Sequence, residues 1–269
     1  MFYYGFIDYL QSEIPDMKED GNPVLDKNNN PVFIKKSFTA NGVGKHIKIL
    51  KLILNEASSQ GINKFTHYHN FRVFVEDIDS VYLNESELQQ LKENDFSKNP
   101  YLERVRDWFL LLAWTGCRFS DLEKVGKADI KDGFITFRQQ KTNNKVTIPL
   151  HPVVLEILEK YDFNLPVPIS NQRFNDYIKE VAKLAEITSA ESITSTIGGK
   201  RITEQKKKYE LISSHTGRRS FCTNMYKRKL PTLMIMSISG HKTEKSFLKY
   251  IKVSRSEHAE MMANEWRNM

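Results

Sequence analysis

The chain has 269 residues, of which 40% are hydrophobic and 27% are charged, as is usual for a globular protein. These proportions exclude fibrous, collagen-like and fully disordered proteins, and the sequence has no apolar run long enough to span a bilayer. The first residues lack the basic region and cleavage site of a secretory signal. Two cysteines, Cys117 and Cys222, cannot form a disulfide framework or a four-thiolate zinc site. We therefore expect a reducing, cytoplasmic environment and no membrane contact.

The charge is unevenly distributed along the chain. The net charge is +7, yet the segment from Lys200 to Arg255 holds fifteen basic and three acidic residues, a local net charge of +12, which leaves −5 for the rest. Such asymmetry favours a polyanionic partner, most often nucleic acid. A solvated basic surface without a partner is the alternative that composition leaves open.

The amino-terminal part reads as helical. We predict a helix over residues 1–15, a loop or hairpin over 17–34, and a long helix over 39–59. The long helix has apolar residues at helical spacing, namely Val43, Ile47, Leu50 and Leu54. Three lysines lie three residues apart on another side, namely Lys45, Lys48 and Lys51. A lysine stripe opposite an apolar stripe is typical of a helix that contacts a phosphate backbone, although a solvated face has the same pattern.

A change in pattern marks a domain boundary. Residues 76–83 lie in an extended stretch, so we predict a first domain at 1–75, a linker at 76–83 and a second domain at 84–269. Asn84 and Glu87 form a capping-box pattern at the start of a helix. The remaining predicted elements are a helix ending at Thr115–Gly116, a hairpin of strands 134–137 and 146–150, helices at 151–161, 171–186, 216–229, 232–239, 244–251 and 255–266, and a second hairpin within 192–203. The predicted fold class is mainly α with a small β-sheet.

Four separated segments contain residue types suited to chemistry on a phosphate. They are Thr115-Gly-Cys-Arg118-Phe-Ser-Asp121-Leu, Lys141 in the turn of the first hairpin, His215-Thr-Gly-Arg218, and Gly240-His241 followed nine residues later by Tyr250. This combination resembles the tyrosine recombinase (phage integrase) family, whose boxes are TGxRxSEL, a strand-turn lysine, HxxR, and GH with a tyrosine nine residues on. Asp121 replaces the glutamate of the first box. Each box alone arises by chance, whereas all of them in family order are specific.

The resemblance implies a catalytic role for six residues, namely Arg118, Lys141, His215, Arg218, His241 and Tyr250. Tyr250 would be the nucleophile and His215 its base, because a phenol with a pKa of about 10 must lose its proton to attack. The two arginines would hold the phosphate oxygens through paired hydrogen bonds, with a further one from His241. Lys141 would protonate the departing 5′ oxygen. This chemistry requires no metal, cofactor or ATP.

The resemblance also implies an architecture and partners. It implies a helical, SAM-like core-site-binding domain, and a recombinase catalytic domain with a C-terminal helix at 254–266. The partner would be double-stranded attachment-site DNA, bound by a homotetramer that passes through a Holliday junction, with accessory DNA-bending proteins. We favour docking of the C-terminal helix on a neighbouring protomer over packing on its own domain. Family members in integrative elements often carry a further arm-binding domain, so the chain is either a shortened protein or an arm-less member.

For several residues, and for the function itself, the sequence allows more than one interpretation. Arg173 and Arg219 are candidate DNA contacts beside the lysine stripe, although exposed polar residues need no such role. We expect Asp121 to hold Arg118 or a nearby loop, and both cysteines to be small buried side chains. One alternative function is a DNA-binding protein of the same fold that does not cut. Another is a type IB topoisomerase or hairpin-telomere resolvase. The intact catalytic set disfavours the first, and the spacing from Gly-His to tyrosine disfavours the second.

Overall fold

The structure is a computed structural model that describes residues 2–77, 79–141 and 143–267. Thr142, in the predicted turn after Lys141, lies outside the described residues. The helices are α1 (Phe2–Gln11), α2 (Ala40–Ser59), α3 (Glu85–Glu93), α4 (Pro100–Thr115), α5 (Phe119–Leu122), α6 (Pro152–Lys160), α7 (Asn171–Leu184), α8 (Ser214–Lys227), α9 (Thr232–Ser239), α10 (Glu244–Leu248) and α11 (Arg255–Arg267). The strands are β1 (Ile14–Pro15), β2 (Phe33–Lys35), β3 (Ile130–Lys131), β4 (Phe134–Arg138), β5 (Lys145–Pro149), β6 (Ala190–Ile197) and β7 (Lys200–Lys207).

The chain forms two compact units. The first comprises Met1–Asp79 together with Ser192–Gln205, and the second comprises Ser80–Glu191 together with Lys206–Met269. The sequence prediction placed residues 84–269 in one uninterrupted domain, so it differs from the structure at the segment Ser192–Gln205. The described residues form no helix that is long and apolar enough to cross a membrane.

The first unit is built on the long helix α2. Thr39 caps this helix by accepting a hydrogen bond from the Gly42 backbone N–H, which stabilises the first turn. Val43 and Ile47 of α2 are buried against Ile7 and Leu10 of α1, as the apolar spacing of α2 predicts. The helix α1 ends at Gln11 rather than at residue 15, because the chain then becomes extended and β1 pairs antiparallel with β2.

A hairpin of β6 and β7 supplies the later segment of the first unit. Its turn uses Gly198 and Gly199, both in the left-handed region with φ of 57° and 76°, where glycine carries no steric cost. The carboxylate of Glu76 accepts hydrogen bonds from the Thr196 backbone N–H at 2.9 Å and from its hydroxyl at 2.7 Å. These contacts, between residues 120 positions apart, attach the hairpin to the first unit. The predicted second hairpin is confirmed.

The second unit surrounds the buried helix α4. Asn99 caps α4 and Gly116 ends it, and the helix packs against α3, α6, α7 and α8. The antiparallel sheet has the order β3-β4-β5, with Phe137 opposite Val146 in the hairpin that carries Lys141. The capping box between Asn84 and Glu87 at the start of α3 is present, as predicted.

Candidate active site

The six predicted catalytic residues line one cleft of about 550 Å³ in the second unit. Arg118 follows α4, Lys141 lies in the turn between β4 and β5, and α8 carries two of the residues. The other two, His241 and Tyr250, follow α9 and α10. The structure therefore brings together residues from five separate places in the chain.

The end of α4 positions Arg118. Gly116 has a φ of 68°, and a Cβ atom built there would lie 2.4 Å from the ring of Phe221, so only glycine fits this turn. Arg118 immediately precedes α5, and its Nη1 lies 3.3 Å from Oδ2 of the buried Asp121. The other oxygen of Asp121 accepts from the Gln140 backbone N–H at 2.9 Å. The sequence predicted that Asp121 holds Arg118 or a loop, and it holds both.

Arg218 is the most deeply buried charged residue of the cleft, with 1% of its surface exposed. Its Nη1 donates to the carbonyl oxygens of Gly116 at 2.7 Å and Ser239 at 2.6 Å. Its Nε is buried and has no hydrogen-bond partner in the described part of the chain. A buried donor without a partner is costly, so this guanidinium is suited to an anionic oxygen arriving from the cleft.

A close approach of two helices makes the Arg218 contacts possible. A Cβ atom at Gly217 would lie 2.8 Å from Cβ of Leu112, so glycine is needed where α8 crosses α4. This approach brings the guanidinium of Arg218 within reach of the Gly116 carbonyl at the end of α4. Within the HxxR box, Gly217 is therefore required by the close packing of α8 against α4.

His241 is held in one tautomer by its neighbours. The Ser239 hydroxyl donates to the Ile235 carbonyl at 2.7 Å, so it accepts from His241 Nδ1 at 2.8 Å. Arg218 Nη2 lies 3.1 Å from Nε2 and 3.3 Å from Nδ1 of the same ring, so the guanidinium lies against the imidazole and leaves Nε2 as the unprotonated nitrogen. Burial, reinforced by the charges of Arg218 and Arg118, lowers the pKa of His241 to about 3. The ring is neutral at pH 7.

His215 lies in the first turn of α8. The residue as a whole is exposed, yet desolvation of its ring lowers its pKa below the usual 6.5, and the charges of Arg219, Arg218, Arg118 and Lys141 act in the same direction. Its imidazole is therefore neutral at pH 7 and can accept a proton, as a general base must.

Tyr250 lies against the side chains of both His241 and Arg218. Its ring centre is 4.7 Å from that of His241, in an edge-on arrangement, and 5.3 Å from the Arg218 guanidinium carbon. The buried Thr223 of α8 fixes its backbone, because the Thr223 hydroxyl donates to the Tyr250 carbonyl at 3.0 Å and accepts from the Lys252 N–H at 3.2 Å. These bonds accompany the end of α10 at Leu248 rather than at residue 251.

Sequence reasoning missed three residues that shape the cleft. Thr223 lies on the same helix as His215 but is buried where His215 is exposed, so its position along the chain carried no direct signal. The Ser239 hydroxyl donates to the Ile235 carbonyl, and the Gln139 amide donates to the Ser239 carbonyl. Such contacts with backbone atoms leave no residue-type pattern. Their adjacency to His241 and Lys141 was the only hint in the sequence.

The predicted DNA contacts lie outside the lining of this cleft. Arg219 is half-buried on α8, and Arg173 is exposed in the first turn of α7. In the first unit, Lys45 and Lys48 are exposed on α2. Lys51 differs, since its ammonium donates to the carbonyl oxygens of His69 at 2.7 Å and Phe71 at 3.1 Å. Of the three lysines, Lys45 and Lys48 are therefore exposed and available to a ligand, whereas Lys51 is engaged in bonds to its own chain.

The cysteines are unsuited to chemistry. Both are buried, as predicted, and burial raises the pKa of Cys117 to about 12 and that of Cys222 to about 11. Both thiols are protonated at pH 7 and unreactive. Within the described ranges, no three His, Cys, Asp or Glu residues converge in a way that could hold a metal ion.

A tyrosine beside two guanidiniums, two neutral imidazoles and a lysine, in a helical domain with a small sheet, defines a site-specific recombinase of the tyrosine class. The chain belongs to the phage integrase family, whose family model matches residues 81–257, well over half of its length. A search of curated proteins returned no match.

Solved structures share the fold. Lambda integrase (75–356), as a dimer bound to a COC′ core site, has a TM-score of 0.60 and 17% sequence identity, over 77% of this chain and 74% of that chain. A lambda integrase tetramer bound to a Holliday junction has a TM-score of 0.61 and 18% sequence identity, over 79% of this chain and 60% of that chain. XerA recombinase has a TM-score of 0.51 and 18% sequence identity, over 85% of this chain and 77% of that chain. The predicted fold class is confirmed.

Proposed function

We propose that this recombinase cuts and rejoins DNA at specific sites through a covalent 3′-phosphotyrosine at Tyr250. The observation that carries the proposal is the position of the Tyr250 ring against Arg218 and His241, in a cleft that also holds the other members of the set. A protein that only binds DNA has no need of this arrangement.

The proposed cleavage step is a transesterification. The Tyr250 hydroxyl oxygen attacks the phosphorus, the bond to the 5′ oxygen breaks, and the phosphotyrosine conserves the energy of the phosphodiester. His215 takes the phenol proton, and Lys141 gives a proton to the departing 5′ oxygen. Rejoining reverses these transfers, so the reaction consumes neither ATP nor a metal-bound nucleophile.

The two guanidiniums stabilise the charge that develops on the non-bridging oxygens. Arg118 is oriented by Asp121, while Arg218 is oriented by two carbonyl oxygens, and its Nε has no partner among the described residues. Because both guanidiniums are held in place before DNA binds, their side chains need little reorientation during the reaction.

His241 changes its hydrogen-bonding role when DNA binds. In the free protein Arg218 Nη2 lies beside both ring nitrogens of His241, and a phosphate oxygen would replace the ring as its neighbour. His241 can then donate to the phosphate once Nε2 gains a proton, which a neighbouring negative charge favours.

The proposed partner is double-stranded DNA. The protein would act on it in the cytoplasm. A lambda integrase of the same fold is bound to a core site as a dimer and to a Holliday junction as a tetramer, and we extend both states to this chain. The domain of residues 1–75 would contact the core site through Lys45 and Lys48 of α2, with Arg173 and Arg219 as contacts from the catalytic domain. DNA-bending proteins would assist assembly.

Helix α11 would link neighbouring protomers. None of its described residues is buried, and Met262 and Trp266 are exposed. It contacts its own unit through the ion pairs of Lys227 with Glu257 at 2.9 Å and of Lys229 with Glu265, and through His258, whose ring lies edge-on to that of Tyr226. None of the described apolar side chains of the helix is buried in its own unit, so its apolar face is available for contacts with a second copy.

Covalent capture tests the proposed function. DNA that the protein binds, selected from a random library and nicked so that the cleaved end diffuses away, is incubated with the protein in EDTA. A protein–DNA band on a denaturing gel is expected for the natural chain and for Tyr226→Phe, a half-buried tyrosine of α8, but not for Tyr250→Phe. Capture by Tyr250→Phe, or no capture on DNA that the natural chain binds, would overturn the proposal.

A further inference from the structure

The side chain of Gln139 connects two parts of the cleft. Gln139 lies after β4, two residues before Lys141, and only 2% of its surface is exposed. Its Nε2 donates to the carbonyl oxygen of Ser239 at 3.2 Å. The same carbonyl accepts from Arg218 Nη1 at 2.6 Å. One oxygen atom therefore joins the turn that carries Lys141 to the guanidinium that holds the phosphate.

The backbone of Gln139 closes the base of that turn. Its N–H donates to the Asn144 carbonyl at 2.9 Å, and its carbonyl accepts from the Asn143 N–H at 2.8 Å. The Lys141 residue within this loop is exposed. The position of the Lys141 backbone thus depends on where Gln139 is held.

Close packing against Gly240 prevents the Gln139 amide from moving aside. A Cβ atom built on Gly240 would lie 2.2 Å from Nε2 and 2.3 Å from Oε1 of Gln139. Gly240 also has a φ of 69°, a conformation that other residues rarely adopt. The glycine before His241 therefore makes room for the glutamine, and the two segments interlock.

The same turn has a second attachment, to the other guanidinium. The backbone N–H of Gln140 donates to Asp121, which also binds Arg118. The Gln140 side chain donates to the Ser120 carbonyl. Consecutive residues at the base of the Lys141 turn are thus bonded to the supports of both arginines.

We propose that Gln139 is a positioning residue for the cleavage reaction. The inference rests on the proposed function, and it adds that the Gln139 amide fixes the Lys141 turn relative to Arg218 and His241. In this arrangement the ammonium reaches the 5′ oxygen of a phosphate already held by the guanidinium. Since the loss of a general acid slows a reaction by about 100- to 10,000-fold and misplacement by less, we expect Gln139→Met to slow cleavage by about 10- to 100-fold.

A change of leaving group separates positioning of Lys141 from other effects. A DNA whose scissile 5′ oxygen is replaced by sulfur releases a thiolate, which needs no proton because a thiol has a pKa of about 8.5. Single-turnover cleavage is measured on oxygen and sulfur substrates for the natural chain, Gln139→Met, Lys141→Ala and the double variant. Gln90→Met, an exposed glutamine on α3, is the matched control.

The expected result is slow cleavage of the oxygen substrate by Gln139→Met and Lys141→Ala, with cleavage of the sulfur substrate within about threefold of the natural chain. The double variant should be no slower than Lys141→Ala, since both changes remove the same proton transfer. Equal slowing on both substrates, or no slowing at all, would overturn the inference. Failure of Lys141→Ala to recover on sulfur would overturn it as well.

Two controls keep these outcomes distinct. If the natural chain forms no covalent product on DNA that it binds, the proposed function fails, and that failure appears without any variant. If Gln139→Met does not fold, as judged by its thermal unfolding, Gln139→Glu takes its place, because it has the same shape but lacks the donor to Ser239. The same dependence on the leaving group is expected for Gln139→Glu, and its absence counts against the inference.

Discussion

The guanidinium carbon of Arg218 lies 5.3 Å from the centre of the Tyr250 ring. Arg218 also bonds to His241, whose ring contacts the tyrosine edge-on. These three side chains come from α8, from the turn after α9 and from the turn after α10. In the proposed reaction, a phosphate held by the guanidinium would therefore lie next to the tyrosine.

Replacement of Lys141 tests the proposed acid. Lys141→Ala should slow cleavage by about 100-fold or more on ordinary DNA, because the departing 5′ oxygen then leaves without a proton. Lys145→Ala is the control, since Lys145 begins β5 on the other side of the same turn and should cost less than about threefold. A single-turnover assay measures both rates. A larger loss for Lys145→Ala would assign the acid to that residue.

Replacement of Asp121 separates Arg118 from the Lys141 turn. In Asp121→Asn the amide oxygen can still accept from Gln140, but the amide nitrogen cannot accept from Arg118. We expect cleavage to fall by about 10- to 100-fold through misorientation of the guanidinium. DNA affinity in a gel-shift assay should hardly change. Asp132→Asn, an exposed aspartate between β3 and β4, is the control, and equal rates for both variants would refute the role.

The pKa of His241 makes the free protein sensitive to acid. The pKa is about 3 in the folded protein and about 6.5 in an unfolded chain. Between these values the unfolded chain binds a proton that the folded protein does not. The stability from the neutral ring is therefore complete above about pH 6.5 and is lost as the pH falls towards 3.

Urea unfolding at several pH values measures this effect. In His241→Gln the free energy of unfolding should fall less steeply between pH 6.5 and 4.5, by at most about 1.4 kcal/mol per pH unit for one proton. Partial solvation of the ring reduces this difference. His258→Gln, an exposed residue of α11, should leave the slope as it is. Identical slopes in the natural chain and His241→Gln would contradict the prediction.

The lysines of α2 should separate into two types. Lys48→Ala should lower DNA affinity and reduce the slope of log affinity against log salt by about 0.9, because one phosphate contact is lost. Its melting temperature should stay the same. Lys51→Ala should instead lower the free energy of unfolding by about 0.5–1.5 kcal/mol, since two carbonyl oxygens lose their donor and water replaces it at the exposed one. The reverse pattern would show that Lys51 is the DNA contact.

The C-terminal helix should act in assembly. The double change Met262→Ala and Trp266→Ala should leave binding of one protomer to a half-site intact and weaken the assembly of further protomers, because the apolar contact with the neighbour is removed. Mass photometry on DNA with one and two half-sites measures both states. Glu260→Ala, an exposed residue of the same helix, is the control. Unchanged assembly would place the helix on its own protomer.

Local chemistry made several elements predictable. Thr39, Asn84 and Gly116 mark helix ends through short-range hydrogen bonds or backbone geometry, and such signals are complete within a few residues. The candidate cleft could be predicted for a similar reason. Each box keeps its chemical residues at fixed spacing within one turn or helix, so the residue types and their order survive in the linear chain.

The sequence by itself therefore determined most of the helices, though not where α1 and α10 end, as well as the fold class and the identity of the residues that line the cleft. Only the tertiary structure decided which long-range hydrogen bonds hold the hairpin and the cleft: Glu76 with Thr196 in the first unit, and Thr223 with Tyr250 and Gln139 with Ser239 at the cleft. Each of these hydrogen bonds involves a backbone group, and every residue except proline offers the same N–H and carbonyl. The partner of such a bond has no residue-type signature, so only the folded chain identifies it.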